Sequence, residues 1–260
     1  MAFILVNGNH EDDMGNKVIA PEGLKNVQVE FTGANNRLII DAESGINNTK
    51  LSFPADDGIC IIGSQGNFCG KIRIGWRCIV SVGSRITCTT ACSIYTAEGT
   101  HALIGDDCMI ASKVQVRTED SHAIFDVESG TRINPSRNVA IGQHVWLAED
   151  ALILSGSRIG SGSTIAARAV VKGVIPNNCI AAGVPSKIIK RNTAWERPNI
   201  AFLQPWLRNN AKEQNLVKST QAWKLTNDKE SRVSLGRPSY TTLRDLKLTN
   251  QNLDLSSLSM

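Results

Sequence analysis

Every sixth residue from Ile141 to Val171 is a large aliphatic: Ile141, Leu147, Ile153, Ile159, Ile165 and Val171. Four positions after each of these stand Val145, Ala151, Ser157, Ser163, Ala169 and Ile175, most of them small. The same step runs upstream through Ile62, Phe68, Ile74, Val80, Ile86, Cys92, Glu98, Ile104, Ile110, Val116 and His122, and only Glu98 and His122 break the apolar rule. A period of six matches neither an α-helix at about 3.6 nor a strand of indefinite length at about 2. It fits a coil of three short strands per turn, with one bulky side chain directed inward from each face and small residues at the corners. Stacked coils lie ~4.8 Å apart, the ordinary strand spacing. Each inward aliphatic contributes roughly 1.5–3 kcal/mol of burial. One coil cannot bury its own face, so stability comes from neighbours. An even step of six makes 18 residues per turn and about six coils over residues 62–179. Ile104 and Ile141 are 37 residues apart, one more than six repeats, so the register is interrupted once, within about residues 123–138.

Composition agrees with that geometry. Aromatics are scarce at 5%, and 21 glycines suit many tight corners better than a helix bundle. No apolar run approaches the ~18 residues of a membrane span. The apolar opening Met1–Val6 is short, lacks a basic flank and is followed by polar Asn7–Asp13, so no signal peptide is expected. The seven cysteines show no CxxC pair and no zinc spacing. They read as small buried residues in a reducing cytoplasm. The net charge of +4 sits in residues 192–260, with ten basic and six acidic side chains, so no dense basic face for nucleic acid is expected.

Residues 1–58 are polar with β-like bursts at Val27–Phe31, Leu38–Ile40 and Leu51–Phe53, and read as an irregular N-terminal segment or early coils. The coil domain covers residues 59–190. Residues 191–260 lose the repeat and form a C-terminal extension. There Trp195, Phe202, Trp206 and Trp223 suggest one or two helices packed on the coil, and the last twenty residues suggest a loosely held tail.

His122 ends the regular run and opens the interrupting loop. It is preceded by Arg117-Thr118-Glu119-Asp120-Ser121 and followed by Ala123–Asn138. Then come Ile141-Gly142-Gln143-His144-Val145-Trp146, the regular repeats, and Ala182-Gly183-Val184-Pro185-Ser186-Lys187. This order resembles the hexapeptide-repeat acyltransferases, and among them the sugar O-acetyltransferases. The Asp-x-His, Phe125 and the segment Gly130-Thr131-Arg132-Ile133-Asn134 look most like the enzymes that modify capsules and other bacterial surface polysaccharides. The resemblance is specific between Val116 and Arg191.

It implies an all-β fold, a left-handed parallel β-helix with a short helical C-terminal extension; the period alone does not fix the hand. It also implies a cytoplasmic homotrimer with sites between adjacent prisms, acetyl-CoA as co-substrate, no metal, and a carbohydrate hydroxyl as acceptor. The family's catalytic histidine maps onto His122. A hydroxyl that keeps its proton attacks a thioester poorly, and a neutral imidazole takes such a proton near neutral pH. Asp120, two residues earlier on the same strand face, is expected either to orient the imidazole or to be a solvated turn residue. Arg117, Arg132 and Asn134 are candidate sugar contacts. Trp146 matches a residue lining the cleft near the acetyl end of CoA, with packing at a subunit interface as the alternative. Ala148 and Ala167 map to positions where the backbone meets pantetheine. Lys187 and Lys190 match basic residues near the nucleotide phosphate. Lys172 stands one place off the usual Thr-Lys, with Gly173 where the lysine belongs. His144 is expected to point outward, where a rim position is open to it, and is assigned no role.

Three other readings compete. A γ-class carbonic anhydrase needs a close histidine pair, whereas His10, His101, His122 and His144 are spaced by 91, 21 and 22. A non-catalytic β-helix scaffold would use the repeat without His122 and its loop. A nucleotide-sugar N-acetyltransferase would carry a Rossmann-like domain that residues 1–58 do not suggest.

Overall fold

The computed structural model describes residues 3–202 and Thr226. Among them there is no α-helix, only a 3-10 turn at Ile200–Phe202, and the helices expected around Trp206 and Trp223 lie outside the described residues. Short strands visit three sheets in rotation. The chain leaves the first face at Cys92–Tyr95, crosses the second at His101–Ile104 and the third at Met109–Ile110, then returns to the first at Gln115–Arg117. The described residues form eight strands on the first face, nine on the second and six on the third. Pairing is parallel throughout the body, as a coil requires. Among the described strands it turns antiparallel at the ends, with Ile4–Leu5 on Lys25–Phe31, His10–Glu11 on Lys17–Ile19, and Lys187–Lys190 on Ile180–Ala182. Among the described residues, no helix is long and apolar enough to cross a membrane.

Three columns of inward side chains fill the triangular interior. The first face stacks Val29, Leu51, Ile72, Ile94, Val116, Ile153 and Val171. The second stacks Ile40, Ile62, Val82, Ile104, Ile141, Ile159 and Ile175. The third stacks Cys88, Ile110, Leu147, Ile165 and Ala181. All are buried.

The even 18-residue turn is confined to the second half, where Ile141 pairs with Ile159 and Ile153 with Val171. Upstream the turns are longer: Ile62 pairs with Val82, 20 residues on, and Ile72 with Ile94, 22 residues on. Strands there run to four residues, as at Ile59–Ile62 and Ile79–Val82, instead of two. A six-residue step still meets buried positions because each strand buries residues two apart, such as Val80 with Val82 and Cys92 with Ile94. The step therefore lands on Val80, although the true neighbour of Ile62 is Val82. The first 58 residues carry strands of the same sheets, with Arg37–Ile40 parallel to Ile59–Ile62 and Asn47–Phe53 parallel to Gly70–Arg73.

All seven cysteines are free and all but Cys69 are buried. Burial holds the Cys108 thiol up at about 12, so it packs as a small hydrophobe. After Lys190 the chain returns across the third face as a strap. Trp195 stacks flat on His144, with ring centroids 4.0 Å apart, and donates its indole N–H to the His144 carbonyl at 2.9 Å. Arg197 locks the strap by donating to Asp107 Oδ1 at 2.7 Å, to Thr87 Oγ1 at 2.8 Å and to the carbonyl of Asp107 at 2.8 Å.

Candidate active site

The corner between the first and second faces carries the interrupting loop. Strand Gln115–Arg117 ends there, and Thr118 turns inward with its Oγ1 2.6 Å from that of Thr100. On the outside of the first face, Arg73, Tyr95 and Arg117 stand side by side on three adjacent strands. Both guanidinium carbons lie over the tyrosine ring, at 5.1 and 5.3 Å from its centroid. Both arginines also donate to Oε1 of Glu119, at 2.9 and 3.2 Å. Glu119 is only 3% exposed. Its Oε2 accepts the backbone N–H of Ser121, and Arg117 donates to Ser121 Oγ at 3.2 Å.

His122 follows at once. Its backbone N–H donates to the Asp120 carbonyl at 2.8 Å, closing a three-residue turn around Ser121, whose φ is +66°. A γ-turn of this hand is rare and strained for a residue with a Cβ. The imidazole is exposed and makes no hydrogen bond with the described residues. A core histidine continuing the stack is thereby excluded. The Asp120 carboxylate accepts from Asn134 Nδ2 at 3.1 Å, and no hydrogen bond joins it to the His122 ring.

Asn134 ties the loop to the turn. Its Nδ2 also donates to the His122 carbonyl at 2.9 Å, and its Oδ1 accepts the Ile124 N–H at 2.7 Å. Between them a hairpin bridges Phe125 to Arg132 and leaves Ile124, Phe125, Val127 and Ile133 exposed. Arg132 is engaged in the loop itself, paired with Glu98 and donating to the Asn134 carbonyl at 3.2 Å.

Glu98 broke the apolar rule because it occupies the same corner one coil below. There it accepts from Arg132 and, at 3.0 Å, from the Ser136 N–H. Those hydrogen bonds hold its carboxyl down at about 2. A depressed carboxyl contributes stability above its ordinary value of 4.5 and loses it as pH falls through about 2. The Ser136 amide resonance is therefore expected to hold its position from neutral pH to about pH 4 and to shift with a midpoint near 2. A midpoint near 4.5 would mean that the loop is not anchored through Glu98.

A second group of expected residues lies elsewhere. Trp146 is on the third face, Ala148 and Ala167 are at the corner between the third and first faces, and Lys187 and Lys190 are on the strand that ends the third sheet. In a triangular section the corner bearing His122 is opposite the third face, so one chain does not bring His122 and Trp146 together. Lys172 falls on the His122 corner, in the last coil, away from Lys187 and Lys190. All three lysines are exposed.

His144, expected at the rim, is buried instead. Its Nδ1 is 2.6 Å from Asp107 Oδ2 and its Nε2 is 3.1 Å from the Trp195 carbonyl. The strap that covers it begins past the end of the repeat, beyond the reach of periodicity. Burial pushes the Asp107 carboxyl up, but hydrogen bonds from His144 and Arg197 and the Arg197 charge outweigh it and hold it below its ordinary value. Trp195 also approaches Trp146, with centroids 6.2 Å apart. Among the described residues no group of three His, Cys, Asp or Glu side chains is placed to hold a metal ion.

A solved structure, that of the polySia-specific acetyltransferase NeuO, superposes with a TM-score of 0.67 at 33% identity, covering 76% of this chain and 87% of that one. The chain belongs to the hexapeptide-repeat O-acetyltransferases. The left-handed β-helix expected from the resemblance is the fold of that family. Among curated relatives, the polysialic acid O-acetyltransferase of Escherichia coli O1:K1 is 36% identical over 55% of this chain and 43% of its own length. The putative lipopolysaccharide biosynthesis O-acetyl transferase WbbJ of Escherichia coli K12 is 40% identical over 40% of this chain and 59% of its own length. The chain thus spans about half the length of the curated relatives it matches. No protein-family model matches it.

Within this family member, sequence reasoning missed Glu119, Arg73, Tyr95 and Ser121. Two signals were available: a glutamate directly beside the inward run, and arginines at equivalent outward positions of strands two coils apart.

Proposed function

We propose that this β-helix transfers an acetyl group from acetyl-CoA to a hydroxyl of a bacterial surface polysaccharide, with His122 as general base. The observation that carries the reading is the exposed His122 imidazole, free of partners among the described residues and set on a strained turn where the interrupting loop departs. The imidazole takes the proton of the sugar hydroxyl as its oxygen attacks the thioester carbonyl. The tetrahedral oxyanion then collapses, the C–S bond breaks, and the thiolate of CoA leaves and recovers the proton. No acyl-enzyme is required. Asp120, Arg117, Arg132 and Asn134 border the acceptor side. On the donor side are Trp146, the small Ala148 and Ala167 beside pantetheine, and Lys187 and Lys190 toward the nucleotide phosphates, while Lys172 stands apart from them on the His122 corner.

Those two sides lie across the prism from each other, which supports a homotrimer whose sites form between the His122 corner of one copy and the third face of the next. The exposed Ile124, Phe125, Val127 and Ile133 of the loop support burial against a neighbour. The acyl donor and the seven free thiols support a cytoplasmic location.

The test is release of CoA thiol from acetyl-CoA in the presence of polysialic acid and a panel of capsular and lipopolysaccharide glycans. A glycan-dependent release, with the acetyl ester found on the glycan, is the expected result. Binding of acetyl-CoA without turnover on any glycan would instead favour a scaffold.

A further inference from the structure

The geometry points to Glu119 as the positioning residue for His122. Its carboxylate is the pin that holds the strained turn from which the imidazole projects. The inference rests on the reading of His122 as the base, and Glu119 reaches His122 through the backbone. Ser121 combines φ +66° with the 2.8 Å bond from the His122 N–H back to the Asp120 carbonyl, and a three-residue turn of that kind persists only where its surroundings over-determine it. Glu119 supplies the determination. Oε2 accepts the Ser121 N–H, while Oε1 is fixed by Arg73 at 2.9 Å and Arg117 at 3.2 Å. Arg117 also donates to Ser121 Oγ at 3.2 Å, so Ser121 is held through both its N–H and its hydroxyl. The guanidiniums are themselves seated over Tyr95. A carboxylate 3% exposed, accepting from two cations and one amide, has its lone pairs directed at fixed donors. No hydrogen bond joins the network to the imidazole, so Glu119 acts through Ser121 and not on the reacting atoms.

Glu119→Gln preserves size but replaces one acceptor with a donor. Its NH2 must face either the two guanidiniums or the Ser121 N–H, donor against donor, and the turn must yield. Crystal structures of the wild-type chain and of Glu119→Gln read this directly. Ser121 is expected to leave the positive-φ region and the His122 side chain to move by about 1 Å. With acetyl-CoA and polysialic acid as the substrates used, kcat is expected to fall about 30- to 100-fold, as a misplacement of that size costs. The KM for acetyl-CoA should stay within about twofold, because the donor side lies across the prism. Arg117 makes both contacts through Nη2; Arg117→Lys retains the charge but on a shorter stem without the planar group seated over Tyr95, and should lower kcat about 5- to 10-fold with the same split.

Unmoved coordinates at Ser121 and His122 in Glu119→Gln, with kcat within twofold of wild type, would overturn the proposal. If Glu119→Gln does not fold, Arg117→Lys decides by the same two measurements. If polysialic acid is not acetylated, the coordinates alone decide. Full turnover by His122→Ala would sink the base reading instead, whatever Glu119→Gln shows.

Discussion

His122→Ala is expected to lower acetyl transfer by about 10²–10⁴-fold while acetyl-CoA still binds. The size of the loss follows from what the imidazole would do. An alcohol at neutral pH holds its proton, and without a positioned acceptor the attack must develop a protonated ether-like oxygen or await solvent base. General-base assistance of this kind carries two to four powers of ten in many enzymes. The variant is also cleanly interpretable. The ring is exposed and bonds to nothing among the described residues, so removing it takes away no packing and leaves no orphaned partner. The backbone N–H that closes the turn on Asp120 is retained by alanine. Melting temperature should therefore stay within a degree or two, and the KM for acetyl-CoA within about twofold. A rate within threefold of wild type would remove His122 from the chemistry. A parallel collapse of stability would mean that the residue holds the corner together.

The periodicity made the architecture legible because a β-helix writes its interior into the sequence at short range. Ile141, Leu147 and Ile153 each face inward from a different side, and nothing distant is needed to see it. The upstream coils were less legible. Their four-residue strands bury two side chains each, so a step of six keeps finding apolar residues after it has lost the true stacking partner. His122 was visible as a break in the pattern with a loop behind it. Glu119 was not, since the same charge reads equally as a solvated corner residue until Arg73, 46 positions away, is seen to reach it. His144 was misread for a related reason. The segment that buries it, Trp195 to Arg197, is irregular chain with no period, and its docking depends on contacts 51 to 112 residues apart. Short-range order carries the scaffold here, while the polar clusters that finish it are long-range.

The second large effect is expected at a residue with no side chain. Gly105 sits at the corner between the second and third faces, in a stack with Gly63, Gly83 and Gly142. The register explains the stack, since each follows a member of the second inward column: Ile62, Val82, Ile104 and Ile141. The backbone conformation at Gly105 is one that any residue adopts, so conformational freedom is not the issue. Space is the issue. A Cβ at this position would lie 2.8 Å from the Gly142 carbonyl carbon and 2.8 Å from the Gln143 nitrogen, both backbone atoms of the next coil. Those atoms are held by the ladder itself, with Gly105 N–H donating to the Ile141 carbonyl at 2.8 Å and Gly142 N–H to that of Ile159 at 2.8 Å. A flexible side chain would move aside, but two hydrogen-bonded coils have to part. Gly105→Val is therefore expected to cost about 3 kcal/mol, the upper end of ordinary overpacking. The measurement is the shift in the urea unfolding midpoint at constant slope. Gly130→Ala provides the contrast. It faces open space at φ +66°, so it meets only the left-handed penalty, about 1 kcal/mol. In a stack where each coil depends on its neighbour, forcing one interface apart uncouples what lies on either side. The His122 corner, held between the Glu98 corner below and the corner of residues 154–157 above, would then lose activity along with stability. If Gly105→Val unfolds at the wild-type midpoint, the coils are not in the close register described, and the corner that carries His122 would have to be rebuilt.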